Sequence, residues 1–381
     1  MLFRSAFFMI LLTCIGYSQT LTVEEYDPPS TLVVPEHLIT HAKYPFVDVH
    51  NHQFSMPTQD LQLLARQMDS LNMAAMVNLS GRGFRRIEQA DGSFKFGLKD
   101  GEFLKESVQR AAREIPDRVL VFTNVDWEGV GSDGWLETAL AHLERDVRYG
   151  AKGLKIYKNL GMDVKDSDGN RLRIDDPRIA PVWDKCAELG IPVLIHAADP
   201  AQFWQPHDAN NERWYELKER PERKRIPGKD APFETIIAEQ HNIFRQHPKT
   251  IFINAHLGWY GNDLARLGKL LDECPNVYTE IGAVLAELGR QPYFARDWMI
   301  KYQDRVMFGK DSWNPEEYHV YFRVLETRDD YIKYYRRRHA FWRLYGLDLP
   351  DAVLRKLYYG NALRVVPGLN PDLFPNKGVV E

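Results

Sequence analysis

Four places in the sequence carry histidine or aspartate where an apolar run ends, a pattern typical of a metal site. The stretch "FVDVHNHQF" (46–54) ends its run with His50 and His52. Because side chains alternate along a strand, these two histidines and Asp48 point to the same side. Three later runs end in the same way, with His196 in "LIHAAD", His256 in "INAHLG" and Asp311 in "FGKDSW".

These residue types together indicate hydrolytic metal chemistry. Imidazole and carboxylate ligands suit zinc best, and also manganese or iron. A catalytic site of this kind leaves one position open for water, whose pKa falls to roughly 7. Asp311 could bind the metal and accept a proton, and His256 could polarise a substrate oxygen or shuttle a proton. A single histidine after a strand is usually a hydrogen-bonded core or surface residue. The argument for a metal site therefore depends on four strand ends that all carry histidine or aspartate.

The remaining candidates are more ambiguous. Lys155, in "GLKIYKN", could be a carboxylated lysine bridging two metals, a substrate-binding cation, or a strand residue reaching solvent. The register needed to separate its side of the strand from that of Lys158 is not fixed by the sequence. Substrate contacts are expected in the long loops, where each candidate is equally readily a solvated or packed residue: Arg82, Trp204, Arg213 and Trp214.

Eight short apolar stretches of strand length have to position these residues. Near-continuous apolar runs are typical of strands covered on both faces, as in parallel sheets. The stretches are 44–50, 73–79, 118–126, 151–157, 191–197, 250–256, 276–282 and 304–311. Apolar residues at three- and four-residue spacing predict helices between them at 59–72, 135–150, 178–190, 233–248 and 262–275.

Alternation of strands and helices at a spacing of roughly 30 residues predicts βαβ units, and eight such units predict an α/β fold, the (β/α)8 TIM barrel. An open doubly wound sheet is the alternative. It usually carries a glycine-rich phosphate loop after its first strand, where this chain has "HNHQFSM". The polar strand ends would then all meet at one face of the barrel, where such enzymes keep their active sites.

A single barrel domain is expected over 44–369, with a lead-in at 19–43 and a tail at 370–381. Two connections, 80–104 and 198–232, are too long for simple turns, and both follow a strand. They are predicted to be lid insertions at the C-terminal face of the barrel. Residues 318–366 are expected to be helical.

The net charge bears on the kind of partner, and the N-terminal segment bears on the cellular compartment. The formal net charge is -4 over 381 residues, which does not favour a nucleic-acid partner. Residues 1–18 fit a secretory signal peptide, which predicts export to the periplasm or beyond; the apolar run is too short to span a bilayer. Lipid attachment through Cys14 ranks second. Cys186 and Cys274 are expected to be small, semi-buried residues, although a bridge between them stays open.

The order of HxH, His, His and Asp along the chain resembles that of the amidohydrolase superfamily. It is most similar to the amidohydrolase-related branch with decarboxylases like the aminocarboxymuconate-semialdehyde enzyme and several sugar-lactone hydrolases. The resemblance covers roughly 44–366 and includes the closing "YYGNALRV". It implies one divalent ion and a catalytic His256. The implied ligands are His50, His52, His196 and Asp311. A carboxylated Lys155 would instead make the site binuclear, with His256 as a ligand of the second ion.

The function expected from these features is metal-dependent hydrolysis of a lactone, ester or amide bond in a small molecule. The alternative is a carboxy-lyase or hydratase acting on an aromatic or unsaturated carboxylic acid at the same site. A non-enzymatic binding protein ranks low, because the ligand set is complete. A homodimer or higher homo-oligomer is left open.

Overall fold

The computed structural model describes residues 21–22, 24–88 and 94–380, with the side chains of 94 and 95 left aside. The expected signal peptide and Cys14 lie outside these residues. The first 35 residues form a unit of their own, whose described part contains one turn, closed by N–H groups of Glu25 and Tyr26 on the Thr22 carbonyl. Everything from Glu36 onward belongs to a second unit.

The described residues form eight parallel strands in two sheets, one strand in each of the eight predicted apolar runs. Seven strands lie within their runs, and the first extends one residue past 44–50, to Asn51. Most residues in these strands are buried, since helices or the other strands cover both faces. The first sheet has the order β1 (Phe46–Asn51), β2 (Met73–Asn78), β5 (Val119–Val121). The second has the order β6 (Leu154–Ile156), β7 (Val193–Ile195), β8 (Phe252–Asn254), β9 (Val277–Glu280), β10 (Val306–Met307).

Backbone hydrogen bonds join the two sheets along both seams. The Val49 N–H donates to the Phe308 carbonyl at 3.0 Å, which places β1 beside the end of β10. On the other side, Thr123 and Leu154 form a parallel bridge between the end of β5 and the start of β6. The chain therefore has the predicted TIM-barrel fold.

Helices pack around the strands, and all five helices expected from periodicity are present. The capping is local: the Asp60 carboxylate accepts the Leu63 N–H at 2.9 Å and begins the first helix. The helices are α1 (Leu61–Ser70), α2 (Gly101–Glu114), α3 (Trp135–Arg148), α4 (Ala180–Glu188), α5 (Trp214–Glu219), α6 (Phe233–Gln246), α7 (Leu264–Glu273), α8 (Leu285–Gly289), α9 (Pro292–Lys301), α10 (Pro315–Glu326), α11 (Asp351–Arg355) and α12 (Asn361–Val365).

The expectation of a continuous helical segment at 318–366 is wrong. Helix α10 ends at Glu326, and helical structure resumes only at Asp351. Between them Ile332 and Leu344 form an antiparallel bridge through two backbone hydrogen bonds of 2.7 and 2.8 Å. The intervening aromatic and arginine residues contact other elements, as when the Trp342 indole N–H donates to the Ala286 carbonyl at 3.1 Å. These tertiary contacts outweigh local helical preference.

Both long connections carry secondary structure. The first contains a hairpin that the sequence did not predict, β3 (Phe84–Glu88) antiparallel to β4 (Phe94–Leu98). The second contains α5 and two short 3-10 turns, Ala201–Trp204 and Pro221–Arg223. Cys186 and Cys274 are both buried and unbridged. Among the described residues no helix is both long and apolar enough to cross a membrane.

Candidate metal centre

The carboxyl ends of β1 and β10 bring three of the expected ligands together. Asp311 Oδ1 lies 3.3 Å from His50 Nε2 and 3.6 Å from His52 Nε2. One ligand atom from each of the three residues lies within 4.8 Å of the other two. The pairing of the strands produces this geometry directly, since the Asp311 N–H donates to the His50 carbonyl at 2.6 Å. Two imidazoles and a carboxylate at this spacing fit zinc, manganese or iron.

The other two histidines lie next to this group. The rings of His50 and His256 have their centroids 4.7 Å apart, and His256 Nε2 lies 3.3 Å from His196 Nδ1. His196 is therefore joined to the cluster through His256 rather than lying within the group of three. Its Nε2 atom is buried and has no hydrogen-bond partner among the described residues. A buried nitrogen left without a partner is what a metal ligand looks like when the ion is removed.

The backbone at the strand ends adopts conformations that side chains rarely take. Positive φ values occur at Ala198 (59°), His256 (57°), Ala283 (56°) and Asp311 (84°), which follow four different barrel strands. Such conformations cost of order 1–3 kcal/mol each and cluster at functional sites. They turn the chain at the barrel mouth and so aim His256 and Asp311 toward the centre.

Glu280, which the sequence interpretation missed, organises the centre from below. Its Oε1 accepts His50 Nδ1–H at 2.9 Å and the His256 N–H at 2.6 Å, and its other oxygen accepts the Gly282 N–H. A carboxylate behind a ligating histidine fixes its ring and leaves Nε2 free for the metal. Its place near the end of the apolar run 276–282 was the one signal in the sequence, and it did not reveal the partners of the carboxylate.

Asp48 does not face the centre. Its carboxylate accepts the His50 and Lys310 N–H groups at 3.0 and 3.1 Å, and the Tyr318 hydroxyl at 2.6 Å. Fully buried, it ties the ends of β1 and β10 to α10. The Asp48 carboxylate therefore supports the backbone of His50 and is not one of the clustered ligand groups.

Lys155 lies in the centre, and Lys158 does not. The Lys155 amine is fully buried, 3.4 Å from His50 Nε2, and burial lowers its pKa to about 8. Lys158 instead pairs with Asp199 at 2.6 Å. The register that the sequence left open thus places Lys155 on the inner side of β6.

The protonation states suit metal binding. Burial, and then the charge of His50, lowers the pKa of His256 to about 4; burial also holds the pKa of His52 well below its ordinary value. Burial alone would raise the pKa of Asp311, but its hydrogen bond with His50 and the histidine charges hold that pKa well below the usual range. Neutral imidazole and ionised carboxylate are the forms that bind metals. Burial opposes a proton on His50, yet Glu280 and Asp311 raise its pKa, so metal binding would displace that proton.

A cavity of about 580 Å³ opens beside the centre. Lys155 and Tyr157 line its inner wall, and Phe84 and Phe96 of the hairpin line its outer wall. The Tyr157 ring also stacks on His52, with centroids 5.8 Å apart, and meets Phe84 edge-on at 5.3 Å. The hairpin of the first insertion therefore covers the cavity, as a lid would.

The four residues expected to contact substrate lie elsewhere. The Trp204 indole N–H donates to the Ala231 carbonyl at 2.8 Å, and Trp214 packs with His207 and under the Lys218 amine. Arg213 is buried between two carboxylates, and Arg82 lines a separate, smaller cavity. Within the described part of the chain, the contacts of these four side chains do not include the histidine cluster, so a role in substrate binding stays a prediction.

Comparison with known proteins agrees with the fold. A family model described as amidohydrolase matches residues 47–368. No curated protein matches the sequence significantly. Among solved structures, a dihydroxybenzoic acid decarboxylase of a Polaromonas species, with bound manganese and 2-nitroresorcinol, is 15% identical over 84% of this chain and 96% of its own, with a TM-score of 0.51. An uncharacterised TIM-barrel protein of Bordetella bronchiseptica is 14% identical over 84% and 98%, with a TM-score of 0.50. These likenesses show the shared fold.

Proposed function

The chain belongs to the amidohydrolase family and is a metal-dependent enzyme, and on that premise we propose that it is a hydrolase that cleaves a lactone, ester or amide bond of a small molecule. The observation that carries the proposal is the convergence of His50, His52 and Asp311 at the mouth of the barrel, beside an open cavity. His196 would complete the ligand set. One zinc ion is favoured, with manganese or iron as alternatives.

A divalent ion held by these residues would supply a Lewis acid and a water whose pKa is near 7. The chain's own groups do the rest. Asp311, ionised and 3.6 Å from His52, can accept the proton that the water loses. Glu280 holds the rings and backbone on which the ligands depend. The cavity walls exclude bulk water from one side of the reacting bond.

The role of His256 follows from its hydrogen bonds. Its Nδ1 lies 2.8 Å from the Gly282 carbonyl, which can only accept, so Nδ1 carries the proton. Nε2 then presents a lone pair, and a pKa of about 4 keeps it unprotonated near pH 7. This tautomer favours His256 as a proton acceptor and shuttle over the alternative of polarising a substrate oxygen.

A panel of lactones, esters and amides, assayed with the metal-loaded protein, tests the proposal. Metal removal should abolish activity, and Asp311→Asn should lower kcat by about 10²–10⁴-fold, the usual range for a lost general acid or base. His41→Gln, at an exposed histidine, serves as the control and should leave kcat unchanged. Hydrolysis that survives both metal removal and Asp311→Asn would contradict the proposal.

The second candidate is a carboxy-lyase or hydratase acting on an aromatic or unsaturated acid. The buried Lys155 amine and the aromatic walls of Phe84 and Tyr157 favour it, because together they suit a ring bearing a carboxylate. Release of carbon dioxide or uptake of water without cleavage separates it from hydrolysis. Export of the mature chain also belongs to the proposal and rests on residues 1–18 alone.

A further inference from the structure

Arg82 is a buried cation whose ion pair within the described part of the chain is long. Its side chain, in the loop between β2 and β3, is 8% exposed, and its buried Nε has no hydrogen-bond partner among the described residues. The carboxylate that approaches it, Asp146, lies 4.0 Å away and is already bound by the Thr123 hydroxyl and the Arg145 guanidinium. A buried charge with only a long ion pair and no hydrogen bond at Nε is costly, and a ligand that binds the guanidinium would compensate it.

The backbone holds Arg82 in this place. The Arg82 N–H donates to Asn124 Oδ1 at 3.1 Å. The preceding Gly81 has a φ of 47°, and a Cβ there would lie 2.2 Å from the same oxygen and 2.6 Å from the Phe122 carbonyl. Only glycine allows the loop to approach β5 this closely. A tight turn thus fixes the backbone from which the Arg82 side chain extends.

A cavity of about 150 Å³ lies in front of the guanidinium. Trp135, Thr138 and His142 of α3 form its far wall. At about 30 Å³ per water it holds roughly five waters, or one carboxylate or phosphate group with a water beside it. Asp126 and Glu128 also line it, but both are exposed residues, where solvent screens their charge.

This cavity adjoins the larger one beside the metal centre. Residues 124–126 and Glu128 line both. A ligand could therefore place an anionic arm on Arg82 and a second part in the larger cavity. The planar guanidinium matches the two oxygens of a carboxylate or phosphate better than a halide.

We propose that Arg82 and the cavity in front of it form a binding site for the oxyanion group, carboxylate or phosphate, of a small ligand. The inference adds to the proposed function by assigning a binding site for the anionic end of the ligand. It rests on the proposed function in one respect, that the larger cavity is the active site. The oxyanion would belong either to an organic ligand that extends into the larger cavity or to a free inorganic anion.

Calorimetric titration of the metal-loaded full chain with inorganic phosphate, and separately with benzoate, tests the site at constant ionic strength. Arg82→Met, which keeps length and removes charge, should weaken both affinities by about tenfold or more. Arg85→Met, at an exposed arginine of the same connection, should change them by less than about twofold. The general stabilisation of the fold by phosphate, and any anion bound by the metal, contribute equally to both variants. The difference between the variants therefore reports the Arg82 site.

Two further readouts sharpen the result. Thermal melting in buffer free of phosphate and carboxylates should show Arg82→Met no less stable than the native chain, because the ion pair with Asp146 is long. A clear loss of stability would make Arg82 a structural partner of Asp146 and overturn the inference. Phe84→Ala, in the larger cavity, should weaken benzoate and spare phosphate if the oxyanion belongs to an organic ligand. Equal effects of Phe84→Ala on both anions, or none, would assign the site to a free anion.

Affinities that are equal in the native chain and Arg82→Met, or no binding of either anion, would overturn the inference. Its failure can be separated from that of the proposed function. Anion binding through Arg82 in a protein that binds no metal would keep the site and overturn the hydrolase. Metal-dependent hydrolysis without Arg82-dependent binding would do the reverse.

Discussion

The barrel mouth and the second insertion, 198–232, both bury charged and titratable groups, but they satisfy them differently. In the insertion, Arg213 lies 3.1 Å from Glu216 and 2.7 Å from Glu287. Each carboxylate has a second arginine as well, Arg223 for Glu216 and Arg290 for Glu287. We refer to these five residues as the insertion ion-pair network.

At the barrel mouth, the titratable side chains are instead not all hydrogen-bonded or paired as ions. His196 Nε2 has no hydrogen-bond partner among the described residues, and the low pKa values of His52 and His256 keep their rings neutral. Positive φ values turn the backbone at His256 and Asp311. The difference teaches that buried polarity alone does not mark a functional site in this molecule. What marks the functional site is a cluster of histidines and an aspartate with shifted pKa values, on backbone that has positive φ at His256 and Asp311.

The largest effect is expected in the insertion ion-pair network, where each buried charge has an ion-pair partner. Arg213→Leu leaves Glu216 and Glu287 with one partner fewer in a buried site, and should lower the free energy of unfolding by about 3–5 kcal/mol. Urea unfolding measures this, with Arg328→Leu, 82% exposed, as a control that should stay within about 0.5 kcal/mol. Metal content should not change. A loss of metal without a loss of stability would erase the contrast between the regions.

The next effect tests the carboxylate behind the ligands. Glu280→Gln replaces one acceptor by a donor that faces the Gly282 N–H, and so loosens His50 and the backbone of His256. We expect metal affinity to fall by about 10–100-fold, as for other partners of ligating histidines. Competition with a chromophoric chelator measures it. Glu287→Gln, in the insertion ion-pair network, should leave metal affinity unchanged and lower stability.

The pH dependence of stability should reveal the insertion ion-pair network through His339. Burial, followed by Arg213 and three other arginines, lowers its pKa to about 2, although the Glu216 carboxylate is 3.5 Å from its Nε2. Below pH 6.5 the unfolded chain binds a proton that the folded chain refuses, so stability falls with falling pH. Between pH 6.5 and 5 this contributes about 2 kcal/mol.

His339→Gln should remove that part of the slope. Urea unfolding at several pH values measures the difference between the two proteins, which cancels the titration of all other groups. An unchanged slope would mean that His339 is protonated in the folded state and pairs with Glu216. In that case the insertion would be less fully paired than its geometry indicates.

The smallest effect on stability is expected at the mouth itself. His52, whose side chain is 12% exposed, packs against Phe54 and Tyr157. Its polar contacts are long, 3.5 Å to the Ser80 hydroxyl and 3.6 Å to Asp311 Oδ1. In the metal-free protein, His52→Asn should cost about 1 kcal/mol or less. Metal content after dialysis should nevertheless collapse. Comparing the metal-free unfolding curves separates a ligand from a structural residue.

The fold was predictable from sequence because every barrel strand is a short, almost uninterrupted apolar run, and period and length suffice to recognise it. The positions of His50, His52 and Asp311 followed, since the carboxyl ends of parallel strands meet at one face. Glu280 was not recognised, because a single carboxylate at the end of "VYTE" gives no local sign of the partner 230 residues away in sequence. Its role exists only once β1 and β9 share a barrel.

The lids were the least predictable part. Their structure depends on contacts between distant segments, such as Arg213 with Glu287 or Phe84 with Tyr157, rather than on periodicity. The same reason explains why Trp204, Arg213 and Trp214 looked like substrate contacts: aromatic and arginine side chains in a loop serve packing and binding equally well. Arg82 differs from these three residues in that its buried Nε has no hydrogen-bond partner among the described residues.

The central claim is that His50, His52 and Asp311 hold a divalent ion at the barrel mouth. Anomalous diffraction from crystals of the metal-loaded protein, collected on both sides of the zinc absorption edge, tests it most directly. The expected result is one peak bonded to His50, His52 and Asp311, with His196 turned toward it. A mouth without an anomalous peak, or a peak bound only by residues outside it, would contradict the claim.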